Sequence, residues 1–171
     1  NMVERFRLEA RTVASLRHPH IVTIHGVRSL DDLHYFVMDF VEGCSLRTLV
    51  KTHGQLPIPI IQALLFQVGG ALGYAHRKGG GIVHRDVKPA NVMIDVEGNA
   101  FLTDFGIAKV AEGSGLTLTG TGLIIGTPEY MSPEQCMGDP PTGAGDQYSL
   151  GIVAYEMLCG QAPFTGTQYS V

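Results

Sequence analysis

The sequence predicts an α+β fold, and three observations carry that prediction. Two pairs of short β-branched and aromatic runs are each parted by turn-forming residues. One long uncharged stretch repeats apolar residues at helical spacing. Hydrophobic residues make up 44% of the chain against 16% charged. Average globular chains carry roughly 25% charged residues, so a chain this apolar buries a core instead of remaining disordered. Its 171 residues have the length of about one domain.

Each element follows from local chemistry. Residues 3–17 place Phe6, Val13 and Leu16, with Ala10 and Ala14 between them, on one face of a helix whose outer face is basic. His18-Pro19 ends it, because a residue before proline is pushed out of the helical region. Residues 21–27 and 33–41 read as a hairpin about the turn formers Ser29 to Asp32. Ser45 is placed to cap a short helix that stops near Gly54. From Pro59 a long helix repeats Ile61, Leu64, Leu65, Val68, Leu72 and Ala75, and Gly79-Gly80-Gly81 ends it. The absence of charge over residues 54–75 invites a membrane-span reading, but Pro57, Pro59, Gln55, Gln62 and Gln67 favour the buried helix of a folded domain. Residues 92–95 and 100–103 flank Glu97-Gly98-Asn99 as a second hairpin. Residues 112–126, rich in Gly and Thr, read as a loop, and a last helix over residues 147–159 closes at Gly160.

Composition also excludes function classes. Twelve Lys and Arg against sixteen Asp and Glu leave a net charge of −4, which is no footprint for nucleic acid or for an anionic membrane surface. All twelve basic residues lie at or before Lys109, while Glu112, Glu129, Glu134, Asp139, Asp146 and Glu156 continue beyond it. Cys44, Cys136 and Cys159 form no C-x-x-C, so a reducing, cytoplasmic setting is expected and a thiolate zinc site is not. His18 and His20 lack a third ligand at matching spacing.

Three motifs carry the chemistry. His84-Arg85-Asp86-Val87-Lys88-Pro89-Ala90-Asn91 comes first, then Asp104-Phe105-Gly106, then Gly126-Thr127-Pro128-Glu129-Tyr130-Met131-Ser132-Pro133-Glu134. They stand in the order and spacing of the catalytic loop H-R-D-x-x-x-x-N, of D-F-G, and of A-P-E with Ser132 in place of Ala. On these motifs the chain resembles the serine/threonine protein kinases, most closely the eukaryotic-like kinases of bacteria. The resemblance implies a two-lobe fold, truncated, with helix C, the last strands of the N-lobe and the hinge in residues 1–41. Residues 42–171 are then the mainly helical C-lobe up to the region before helix G.

Phosphoryl transfer asks a protein for an aligned nucleophile and for neutralised phosphate oxygens. The resemblance makes Asp86 the carboxylate that takes the substrate hydroxyl's proton and Lys88 the ammonium beside the transferring phosphoryl, with Thr127 bridging the two. Asn91 and Asp104 offer hard oxygens to Mg²⁺. For ATP it implies Glu9 as the helix-C glutamate and Met38 as gatekeeper. The Asp39 carbonyl and Val41 amide then lie on the adenine edge, with Val92 and Met93 beneath it. Arg85 implies control by phosphate in the activation loop, at Thr119 and Thr121. His84 and Phe105 are read as structural and stacked with Val13 and Ile24. The resemblance also implies that Asp146 binds amides of the catalytic loop.

The pattern departs from the family at both ends. No G-x-G-x-x-G occurs and no Lys precedes Lys51, so Glu9 has no upstream lysine to pair with. No Arg follows Arg85 to neutralise Glu134, and a carboxylate buried without a partner costs several kcal/mol. With Asn1 ahead of Met2, the expectation is most of a kinase domain with both ends missing. Protein substrates and ATP are the expected partners, with a kinase dimer for phosphorylation in trans, no nucleic acid, and a membrane only through a segment outside this chain. Two alternatives stay open: a pseudokinase or scaffold, and an inactive fragment.

Overall fold

The computed structural model describes residues 12–30, 33–78, 81–105 and 128–164. Most of the first expected helix therefore lies outside the described residues, as does the loop at 112–126. Residues 12–14 are helical, and the helix is over before His18-Pro19, as expected.

Strand β1, Ile24–Leu30, pairs antiparallel with β2, Leu33–Met38, from Ile24 opposite Met38 to Leu30 opposite Leu33. The first strand begins three residues later than the apolar run suggests, because that run is claimed elsewhere. The Val22 amide donates to the Leu102 carbonyl at 3.0 Å, the Leu102 amide donates to the His20 carbonyl at 2.9 Å, and Ile21 forms an isolated bridge to Leu102. Residues 20–22 thus tie the hairpin to the core of the helical part.

A short strand that the sequence did not announce, β3 (Gly43–Ser45), pairs with β4 (Val92–Asp95), which pairs in turn with β5 (Ala100–Leu102). A Cβ at Gly43 would collide with the Ile94 carbonyl, so this pairing requires glycine. Helix α1, Leu46–His53, starts where the Ser45 hydroxyl accepts the Thr48 amide at 3.2 Å and stops at Gly54, whose φ of 69° is left-handed. Helix α2, Ile58–Arg77, is long and apolar enough to cross a membrane by length and composition. Here it buries Ile61, Leu64, Val68, Leu72 and Ala75, and packs against β5 and the last helix. That is the core-helix reading the prolines and glutamines suggested.

A single 3-10 turn, Pro89–Asn91, leads into β4, and a second, Pro128–Tyr130, precedes the short helix α3, Pro133–Met137. Helix α4, Gly143–Cys159, begins four residues before the expected start and ends at Gly160, left-handed with φ 78°. Its first residues are small because neighbours crowd them: a Cβ at Gly143 would lie 2.8 Å from His76 Nδ1. Val13, Leu16, Leu46, Leu72, Leu102 and Met157 belong to one buried cluster, at whose edge the 82–91 loop lies.

Candidate active site

The loop from Ile82 to Asn91 has little regular structure of its own, so its shape comes from side chains on the helices beneath it. Asp146, in the first turn of α4 and 2% exposed, accepts the His84 amide on Oδ2 and the Arg85 amide on Oδ1, both at 2.8 Å. His76 on α2 donates from Nε2 to Asp146 Oδ2 at 2.7 Å. Arg85 is thereby held at φ 70°, a left-handed conformation that costs a non-glycine residue about 1 kcal/mol or more.

His84 is fully buried. Its Nε2 lies 2.9 Å from the Thr103 carbonyl, its Nδ1 accepts the Asp86 amide at 3.3 Å, and its ring packs on Phe105 with centroids 4.5 Å apart. These partners select the neutral ring protonated on Nε2. Burial pushes its pKa below the ordinary value, so it stays neutral and carries structure instead of protons. Phe105 and Val13 are buried in the same cluster, with Ile24 packed against it.

Asp86 and Lys88 form an ion pair, Oδ2 to Nζ at 2.8 Å, and both side chains are about one-fifth exposed. Asn91, 6% exposed, donates from Nδ2 to Asp86 Oδ2 at 3.0 Å and to the Asp86 carbonyl at 2.8 Å. This use of the NH₂ group leaves the amide oxygen facing away from the carboxylate, and among the described residues that oxygen accepts nothing. Just past the β4–β5 ladder, the Thr103 amide donates to the Asn91 carbonyl at 3.0 Å. Asp104, exposed and left-handed at φ 55°, therefore follows directly on the residue paired with Asn91. Asn91 and Asp104 thus flank the end of the ladder.

The hinge runs from Met38, the last residue of β2, to β3. The Asp39 amide donates to the Thr23 carbonyl at 3.0 Å, while among the described residues the Asp39 carbonyl and Val41 amide have no backbone partner. Side chains alternate along β4, so Val92 is fully buried on the core face and only half-buried Met93 lies on the other face. The two side chains expected beneath adenine therefore do not share a face of β4. A cavity of about 540 Å³ opens between the hinge, His18 and the Asp95 turn, but Met93 and Asp104 do not line it. It is separate from the catalytic loop.

Glu134 is half-buried beside Gly145, so water reaches it and the penalty expected for a fully buried carboxylate does not arise in that form. Glu9, Thr119, Thr121 and Thr127 lie outside the described residues. Sequence reasoning missed two supports. His76 carried no signal, since a lone histidine near a helix end is ordinary. The other was legible: Ser132-Pro133-Glu134-Gln135 is a capping box, with the Gln135 side-chain oxygen accepting the Ser132 amide at 3.0 Å. The 3-10 turn ahead of α3 is pinned to α4, where the Tyr130 hydroxyl donates to Glu156 Oε2 at 2.6 Å and the Ser149 hydroxyl to the Tyr130 carbonyl at 2.7 Å. Burial and the Glu156 carboxylate push the Tyr130 phenol well above its ordinary value.

A buried aspartate orienting a loop that carries a second aspartate, a lysine and an asparagine is the arrangement of a phosphoryl-transfer domain. The family model of the protein kinase domain matches residues 1–170, and the chain belongs to that family. It is 42% identical over 164 residues to the serine/threonine-protein kinase PrkC of Bacillus subtilis, covering 96% of this chain and 25% of that protein. It is 43% identical over 169 residues to the serine/threonine-protein kinase PknA of Mycobacterium tuberculosis, covering 96% of this chain and 38% of that protein. Among solved structures it resembles the Mycobacterium tuberculosis PknI kinase domain, with a TM-score of 0.77, 31% identity, and 98% of this chain covered against 61% of that one. A structure of Rad53 in complex with AMP-PNP aligns with a TM-score of 0.79 and 29% identity over 98% of this chain and 41% of that one. The chain thus spans a quarter to two-fifths of the length of these two curated relatives.

Proposed function

We propose that the protein transfers the γ-phosphoryl group of ATP to serine or threonine hydroxyls of protein substrates. The observation that carries this reading is the Asp86 carboxylate, held at once by Lys88 Nζ at 2.8 Å and Asn91 Nδ2 at 3.0 Å. Held this way, Asp86 is aimed to accept the proton of an incoming hydroxyl. Lys88, tethered beside it, is placed to offset charge on the transferring group. The Asn91 amide oxygen, which accepts nothing among the described residues, and the Asp104 carboxylate fit Mg²⁺, which prefers hard oxygens and keeps several of its waters. When bound, Mg²⁺ supplies charge neutralisation at the phosphate oxygens. The Asp39 carbonyl and Val41 amide, without a backbone partner among the described residues, are backbone groups for an adenine edge, with Met93 below and Met38 at the back.

Control through the activation loop belongs to the same proposal. Arg85 Nε is buried and, among the described residues, has no hydrogen-bond partner, which suits an anion such as phosphate on Thr119 or Thr121. Phosphorylation in trans by a second copy is its simplest source. ATP chemistry and the free Cys44, Cys136 and Cys159 fit a cytoplasmic setting.

The test incubates the intact protein with γ-labelled ATP, Mg²⁺ and a generic acceptor protein. Label on Ser or Thr is expected, with Asp86→Asn lowering the rate by about 100-fold or more. An intact protein that binds ATP and Mg²⁺ yet transfers no label would establish the pseudokinase reading instead.

A further inference from the structure

We infer that Gln135 is a positioning residue of the catalytic loop, through which the start of α3 sets the orientation of Asp86. This rests on the reading of Asp86 as the base. One carboxamide makes three bonds. Its Oε1 accepts the Ser132 amide at 3.0 Å and the Ser132 hydroxyl at 3.2 Å, and its Nε2 donates to the Arg85 carbonyl at 3.0 Å. The orientation is dictated by these partners. Turned over, the NH₂ would face an N–H and the oxygen would face a carbonyl.

The Arg85 carbonyl and the Asp86 amide belong to one rigid peptide plane. That plane is gripped at both edges: its oxygen by Gln135, and its N–H by His84 Nδ1 at 3.3 Å. The preceding plane is gripped through the Arg85 amide by Asp146 Oδ1 at 2.8 Å. Arg85 sits between them at φ 70°, a conformation that persists only where the surroundings impose it. Rotation of the 85–86 plane would swing the Asp86 side chain away from Lys88 and Asn91. His84 and Asp146 act from the core, whereas Gln135 acts from the segment that follows the 106–127 stretch. It is a link by which a change at the end of that segment reaches the base.

The serine in Ser132-Pro133-Glu134-Gln135 then has a purpose. Ser132 is fully buried, and its amide and hydroxyl hold the Gln135 oxygen so that the NH₂ group points at Arg85.

Two substitutions in the intact protein separate positioning from capping. Gln135→Glu keeps the acceptor for Ser132 and removes the donor to Arg85. Gln135→Lys keeps a donor within reach of the Arg85 carbonyl and removes the acceptor. The expected result is a kcat lowered about 5- to 10-fold in Gln135→Glu, with KM for ATP within about twofold of the parent. Gln135→Lys, which keeps a donor but loses the Ser132 bonds that aim it, should lower kcat by less than Gln135→Glu does. Loss in Gln135→Lys with retention in Gln135→Glu, or equal effects in both, would overturn the inference by leaving Gln135 a helix cap. Amide hydrogen exchange at Asp86 gives a readout independent of turnover. It should quicken about 5-fold or more in Gln135→Glu, and unchanged exchange overturns the inference even if the parent protein proves to have no transfer activity.

Discussion

The β1–β2 hairpin is the longer of the two among the described residues, with strands of seven and six residues, yet Tyr35, Val37 and Met38 on its second strand are 43%, 41% and 37% exposed. The β4–β5 hairpin has strands of only four and three residues, and Val92, Ala100 and Leu102 are fully buried. A two-stranded ladder is marginal in water by itself, so length in a hairpin is a poor guide to its rigidity. The short hairpin is held by what surrounds it: β3 on one edge, α2 beneath, and residues 20–22 bonded to Leu102. It is also the one that places Asn91 at its entry and Asp104 just beyond its exit. The residues read as metal ligands sit at the ends of the more tightly buried element.

The largest way to break this contrast lies under the loop that feeds β4. Asp146→Ala removes a 2% exposed carboxylate and strands the His84 and Arg85 amides, and urea denaturation should register a loss of about 3–5 kcal/mol. A loss under about 1 kcal/mol would mean that the loop holds itself. Next comes a direct comparison of the hairpins. Leu102→Ala should cost about 2–5 kcal/mol, whereas Val37→Ala should cost less than about 1 kcal/mol. Equal costs in the same denaturation series would refute the difference in anchoring.

The smallest effect is in pH. The pKa of His84 is held below 6.5 in the folded protein by burial and returns to about 6.5 when the chain unfolds. The unfolded chain therefore takes up a proton that the native one does not. Stability is complete above pH 6.5 and is lost as pH falls below it, by at most about 1.4 kcal/mol per pH unit from this group. His18, also lowered and mostly through burial, adds a smaller part in the same direction. Asp39 and Asp95, whose carboxyls are held below the usual range by hydrogen bonds from His25 and Asn99, act only at lower pH. The urea midpoint should fall between pH 7 and pH 5.5, and His84→Gln should flatten that slope. An unchanged slope would assign the acid sensitivity elsewhere.

Much of the fold was legible because its signals are local. Ser45 and Gly54 bound α1 as caps do, the Ile61 to Ala75 spacing marks α2, and Glu97-Gly98-Asn99 turns the β4–β5 hairpin with Gly98 at φ 87°. What was not legible is long-range. Gly43 to Ser45 has no strand signal, since β3 exists only because Ile94 offers a partner. The start of α4 was missed because Gly143, Ala144 and Gly145 carry no apolar period, and the smallness of Gly143 and Gly145 answers to His76, Ser132 and Glu134 packed against them. At the site, motif order named Asp86, Lys88, Asn91 and Asp104, but adjacency along the chain could not separate core-facing Val92 from Met93.

By itself the sequence determined the α+β class, the family, and which side chains carry charge and oxygen ligands, because caps, turns and motif spacing act over a few residues. Only the tertiary structure decided how those side chains are aimed. Arg85 takes a left-handed conformation that nothing in its own neighbourhood demands, and it does so because Asp146, 61 positions away, and Gln135, 50 positions away, hold the peptides on either side of it. Hydrogen bonds of that reach form only once a core has brought distant segments together, and the orientation of Asp86 is set by them.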